Sequence, residues 1–172
     1  TLLLDKTGTI TIGNRKATSF WPEKNVDEAV FIEACVLSSI ADETPEGKSI
    51  VELSEGLGVK VHRGDYANST FIKFTAQTRM SGLDLANGTS IRKGSIDVIR
   101  DLVGKNGDSI PNSMEDVVTH IASNGGTPLA VAENGKFAGV IELQDIIKTG
   151  ITERFERLRK MGVKTVMVTG DN

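Results

Sequence analysis

One cysteine, four prolines, one tryptophan and one tyrosine are spread over 172 residues. A single thiol rules out a disulfide within the chain, and Cys35 lies in the apolar run AVFIEACVL, where a buried, unreactive thiol is expected. Basic residues are not in excess: 20 Lys and Arg face 23 Asp and Glu, a net charge of −3. Without a basic stripe to hold a phosphate backbone, no nucleic-acid partner is expected. No apolar run approaches the roughly 18 to 20 residues of a membrane-spanning helix, and no signal-peptide pattern, internal repeat or low-complexity stretch is present. What remains is a globular composition, 38% hydrophobic and 25% charged, enough for one well-cored domain plus pieces of a neighbour. The chain starts at Thr1 and stops at Asn172 directly after a strand-and-loop signal, so it reads as a segment of a longer one.

The two ends carry the chemistry. Near the start, the apolar run Thr1 to Leu4 breaks into DKTGTIT at Asp5; near the end, the β-branched run in VKTVMVTGDN breaks into Thr169, Gly170 and Asp171. Ile151, Phe155, Leu158 and Met161 form one apolar helix face ahead of that second run, and Gly162 ends the helix. Helix feeding a short buried strand is the pattern of a parallel α/β sheet, whose chemistry lies beyond the carboxyl ends of its strands. A carboxylate fixed there, with donors from the following loop, suits an aspartyl nucleophile attacking a phosphoryl group. Lys6 adds positive charge, and Thr7, Gly8 and Thr9 are able to close around phosphate oxygens.

Between the ends the pattern differs. A buried helix is expected over about 25–40, and a second after Thr44 and Pro45, an N-cap followed by proline at the first helical position. VKVHR, FIKFTAQ, RMSGLDL and TSIRK read as extended, the last two joined through Ala86-Asn87-Gly88; Ser95 then caps a helix. Another helix covers about 114–123, and PLAVAENGKFAGVIEL turns back on itself at Asn134-Gly135. Trp21 precedes Pro22 in an expected loop. The fold class is α+β: an antiparallel sheet with packed helices, inserted between fragments of an α/β parallel-sheet domain. The expected divisions are 1–13, 14–147 and 148–172.

DKTGTIT resembles the phosphorylation signature of P-type ATPases, and TGD after an apolar strand resembles a second box of their phosphorylation domain. Within that family, SIADETPEGKSI, FTAQTRMSG and IRKGSID look like the catalytic subunit of the bacterial Kdp-type potassium pumps. The resemblance implies that residues 14–147 are the inserted nucleotide-binding domain. It implies ATP as the phosphoryl donor, Asp5 as the acceptor with Lys6 and Thr7 beside it, and Mg²⁺ held at Asp5 and Thr7 in the intact phosphorylation domain. Thr169, Gly170 and Asp171 would bind the same phosphate. Related phosphatases carry a second aspartate two positions after the first; Thr7 stands there and implies a slowly hydrolysed phosphoenzyme. Phe74 matches the ring that stacks on adenine, Lys93 and Gly94 match the opposite wall, and Glu46, Ser81 and Arg79 match residues lining the same pocket. The implied partners are the other phosphorylation-domain elements, an actuator domain, membrane helices and Kdp-type subunits. The implied place is the cytoplasmic side of an inner or plasma membrane. The Gly-Asp-Gly box, the distal lysine and the membrane helices are absent from these residues, so the segment is expected to bind nucleotide without turning it over.

From the residues alone, Phe74 also fits a core position, Lys93 a solvated strand end, Glu46 a helix-dipole carboxylate and Arg79 an ion-pair residue. Gly47-Lys48-Ser49 mimics a P-loop, but Asp42 occupies the position of its first glycine. His62 and His120 lack partners at ligand spacing. Rival functions are a pump for another cation, a nucleotide sensor in which Asp5 is never phosphorylated, and a soluble phosphatase. Thr44-Pro45 stands where transition-metal pumps carry His-Pro, and Thr7 weighs against the phosphatase.

Overall fold

A computed structural model describes residues 1–168. Two sheets are present among them: a six-stranded antiparallel sheet and a separate parallel pair. The parallel pair joins β1 (Leu2–Asp5) to β8 (Thr165–Val168), with Asp5 opposite Val168. The large sheet has the order β2-β7-β6-β5-β4-β3, formed by β2 (Thr11–Pro22), β3 (Thr70–Ile72), β4 (Met80–Asp84), β5 (Ser90–Ser95), β6 (Thr127–Glu133) and β7 (Lys136–Ile147).

Helices cover both faces of this sheet. Side chains alternate along β6 and β7, so Val131 and Ile141 enter one core while Ala130, Ala132 and Val140 enter another. The first core receives Phe31, Ala34, Cys35 and Leu37 from α1 (Glu28–Leu37) and Ile50 from α2 (Pro45–Gly56). The second receives Ile96, Ile99 and Val103 from α3 (Ile96–Lys105) and Met114 and Ile121 from α4 (Asn112–Ser123). Capping follows local chemistry: the Asp27 carboxylate accepts from the amides of Ala29 and Val30, and Thr44 Oγ1 accepts from the amide of Gly47 at 3.1 Å. Asn134 and Gly135, both with positive φ, turn β6 into β7, as the Asn-Gly pair requires. Burial pushes the Cys35 thiol pKa well above its usual value, so this cysteine stays a neutral packing residue.

Three sequence expectations are corrected. Trp21 and Pro22, expected in a loop, end the twelve-residue edge strand β2, in which Trp21 Nε1 donates to Glu142 at 3.1 Å. VKVHR is no strand: a short 3₁₀ turn, Arg63–Tyr66, begins within it. FIKFTAQ contributes only its first two residues to β3 (Thr70–Ile72), because the Thr75 hydroxyl accepts from the amide of Thr78 and bends the chain before β4. The apolar face of α5 (Ile151–Lys160) carries no buried residue, and its neighbour Met161 is exposed.

Candidate functional site

A cleft of about 350 Å³ opens along the α2 side of the large sheet, lined by Arg15, Asp42, Thr44, Glu46, Phe74, Arg79, Lys93, Gly94, Ser95, Thr127, Leu129 and Leu143. It runs from Arg79, just before β4, across β5, β6 and β7 to Arg15 on β2. Phe74 lies in the turn after β3, outside any strand, and is 47% exposed. Such a ring offers a face to a planar ligand instead of filling the core, so the turn that shortens β3 also frees Phe74.

Lys93 is 3% exposed and lies in the floor. Its ammonium donates to Ser39 Oγ and to Asp42 Oδ2, both at 2.9 Å. Asp42 Oδ1 in turn accepts from the amide of Thr44 at 3.1 Å and from its hydroxyl at 2.7 Å. Burial raises the Asp42 pKa, but the Lys93 charge and the Thr44 donors outweigh it and hold this carboxyl below the usual range. Burial pulls the Lys93 pKa down against the attraction of Asp42. The two charges thus neutralise each other, and the cationic groups left at the walls are Arg79 and Arg15, with Glu46 opposing them.

Two glycines keep this geometry. A Cβ on Gly94 would stand 2.6 Å from the Arg79 carbonyl oxygen, so the small residue serves strand packing inside the cleft. A Cβ on Gly47 would stand 2.6 Å from the Asp42 carbonyl oxygen, which ties the start of α2 to the residue that holds Lys93. Arg79 has φ of 49°, held there by the hydrogen bond its amide donates to the Thr75 carbonyl at 2.8 Å. Ser95 precedes α3 without a capping bond, and its Oγ is buried with no partner among the described residues. It leaves an unspent polar group in the cleft wall.

The structure gathers Glu46, Phe74, Arg79, Lys93 and Gly94 into this cleft. Ser81 is not in the lining: it is buried behind it, where its hydroxyl donates to the Ser38 carbonyl at 2.9 Å. Asp5, Lys6 and Thr7 are also outside it. Asp5 is exposed at the end of β1, followed by the loop Lys6–Ile10, in which Gly8 has φ of 78°. Thr11 Oγ1 spans the loop, accepting from the Gly8 amide and donating to the Lys6 carbonyl at 3.4 Å each, and the Lys148 ammonium donates to the Gly8 carbonyl. Thr169, Gly170 and Asp171 lie outside the described residues. Sequence reasoning missed Asp42, Thr44 and Arg15; the Asp-x-Thr-Pro spacing was a signal for the turn, whereas the 51-residue separation of Asp42 from Lys93 left none for the pair.

The profile of the haloacid dehalogenase-like hydrolases matches residues 1–172. The chain belongs to that family. Comparison with individual proteins narrows the branch. A potassium-transporting ATPase ATP-binding subunit from Deinococcus radiodurans is 55% identical over 171 residues, 99% of this chain and 25% of that protein. The chain thus spans a quarter of that relative. Among solved structures, a zinc-transporting PIB-type ATPase in an E2.Pi state superposes with a TM-score of 0.74 at 20% identity, over 99% of this chain and 26% of that one. The catalytic domain of the CPx-ATPase CopB-B superposes with a TM-score of 0.66 at 17% identity, over 100% of this chain and 54% of that one. At those identities the structures speak for the fold, and the fold is that of P-type ATPase catalytic domains.

Proposed function

We propose that this chain is the ATP-holding region of a potassium-transporting P-type ATPase, presenting the nucleotide for phosphoryl transfer to Asp5 in the intact protein. The observation that carries this reading is the cleft itself. An exposed Phe74 ring stands over a floor whose charge is already neutralised by the Asp42–Lys93 pair, and an arginine lies toward each end. Adenine stacks on Phe74, the unspent Ser95 hydroxyl serves the sugar or phosphates, and the phosphate chain points toward Arg15 on β2. Identity of 55% to an ATP-binding subunit of a potassium pump supports both nucleotide and ion.

In the reaction, an Asp5 carboxylate oxygen bonds to the γ-phosphorus as the bond to the β–γ bridging oxygen breaks, leaving ADP and an aspartyl phosphate. Thr7 offers no carboxylate to activate water, so the phosphoenzyme persists. No group of three His, Cys, Asp or Glu able to hold a metal exists among the described residues. Asp5 and Thr7, with further groups of the intact phosphorylation domain, would hold a Mg²⁺ carried in on the substrate phosphates. Such an ion would offset repulsion between the carboxylate and the phosphates. Because Asp5 is outside the cleft, residues 14–147 must close onto 1–13 and 148–172 for transfer. The place we assign is the cytoplasmic side of a membrane pump, alongside an actuator domain, membrane helices and Kdp-type subunits.

The test is labelling of the intact protein with [γ-³²P]ATP and Mg²⁺. We expect a hydroxylamine-sensitive label that Asp5→Asn abolishes. Label that survives the substitution refutes the acceptor assignment, and absence of label in the parent protein favours a non-catalytic nucleotide sensor.

A further inference from the structure

Asp145, near the end of β7, faces two cations that belong to different parts of the molecule. It is the register partner of Arg15 on β2, and its Oδ1 lies 3.6 Å from Arg15 Nε. Its Oδ2 lies 3.7 Å from Nζ of Lys6, the residue that follows Asp5. The carboxylate is 14% exposed, whereas the Arg15 side chain is 45% exposed and lines the cleft. Both separations exceed hydrogen-bonding distance, so one carboxylate is shared between two cations and committed to neither.

We infer that Asp145 is a positioning residue that ties the acceptor loop to the phosphate end of the cleft. The inference rests on the nucleotide reading above. Phosphates arriving at Arg15 draw the guanidinium away from Asp145, since a polyanion outcompetes a single carboxylate for a fork of donors. The carboxylate, mostly out of water, then has Lys6 as its remaining partner and holds it more tightly. Nucleotide occupancy is thereby reported to the loop beside Asp5 without contact between them. Thr11 and Lys148 tie the loop through main-chain groups of Lys6, Gly8 and Ile10, whereas Asp145 meets it at a side chain.

The experiment is amide NMR of this chain titrated with a non-hydrolysable ATP analogue and, separately, with adenosine, repeated on Asp145→Asn and Asp145→Glu. With the analogue we expect shifts at Phe74 and Gly94 together with shifts at residues 6–10; with adenosine, the cleft shifts alone. In Asp145→Asn the cleft shifts persist and the loop shifts vanish, while affinity rises up to about fivefold as Arg15 loses a competing ion pair. Asp145→Glu restores the loop response. Arg15→Gln, a change on an exposed side chain, breaks the same link if Asp145→Asn disturbs the sheet. Loop shifts that persist in Asp145→Asn or Arg15→Gln, or that adenosine elicits, overturn the inference and leave nucleotide binding standing. Cleft residues that never shift refute the nucleotide reading and the inference with it.

Discussion

Replacing Asp42 with asparagine strands the Lys93 ammonium in a floor where the side chain is 4% exposed and its remaining partner is the Ser39 hydroxyl. Removing one member of a buried pair costs about 3–5 kcal/mol, most of it the desolvation of the charge left behind. Asparagine keeps an acceptor oxygen near Lys93, so we expect the low end, about 3 kcal/mol. Urea denaturation reads this directly: at a slope of about 2 kcal/mol/M the midpoint falls by roughly 1.5 M. Lys93→Met should cost a similar amount by stranding the carboxylate, and the double variant should cost well under the sum, with a coupling of at least about 1.5 kcal/mol. An Asp42→Asn cost below about 1 kcal/mol, with additive single variants, would show that Asp42 does not hold the Lys93 charge. Lys93 would then be a solvated lysine free to meet the nucleotide, not the neutralised floor of its cleft.

Phe74→Ala should weaken ATP binding by about 1–3 kcal/mol, read by titration, while leaving the melting point unchanged, because the ring is exposed. Acid unfolding should follow Asp42. Its folded pKa is lowered, so its contribution is complete above the unfolded value of about 3.9 and is lost as pH falls through the folded value; Asp42→Asn should flatten that limb. Gly94→Ala drives a methyl into the Arg79 carbonyl and should cost about 2 kcal/mol, a melting point lower by roughly 4–8 °C. Asp5→Asn should leave the melting point of this chain unchanged, since the side chain is exposed and outside the cleft.

Periodic and turn signals transmitted well from sequence to structure. Thr44-Pro45 and Asp27 open helices, and Asn134-Gly135 turns a hairpin, because each depends on bonds within a few residues. Strand β2 was illegible: Pro22 points to a loop at its end, and few of its side chains are buried, since this strand pairs on one side only. VKVHR alternates like a strand, yet it joins neither sheet, and its Val61 packs against the first core from a coil. The lining of the cleft was legible where a motif marked it, at Phe74, Lys93 and Gly94. The motif placed Lys93 against the nucleotide, whereas the structure puts its charge on Asp42. Long-range pairing of that kind leaves no local pattern: in the sequence, Asp42 is merely the misfit in an apparent P-loop.

Nucleotide occupancy of the cleft under Phe74 is read by amide NMR of this chain titrated with ATP, with and without Mg²⁺. We expect saturable shifts clustered at Phe74, Arg79, Gly94, Ser95 and Thr127, with Kd on the order of 0.1–1 mM, as one stacking ring and few cationic groups allow. Shifts that gather instead in the groove of Asp108, Asn134 and Lys136, or that never saturate at the cleft, would contradict it.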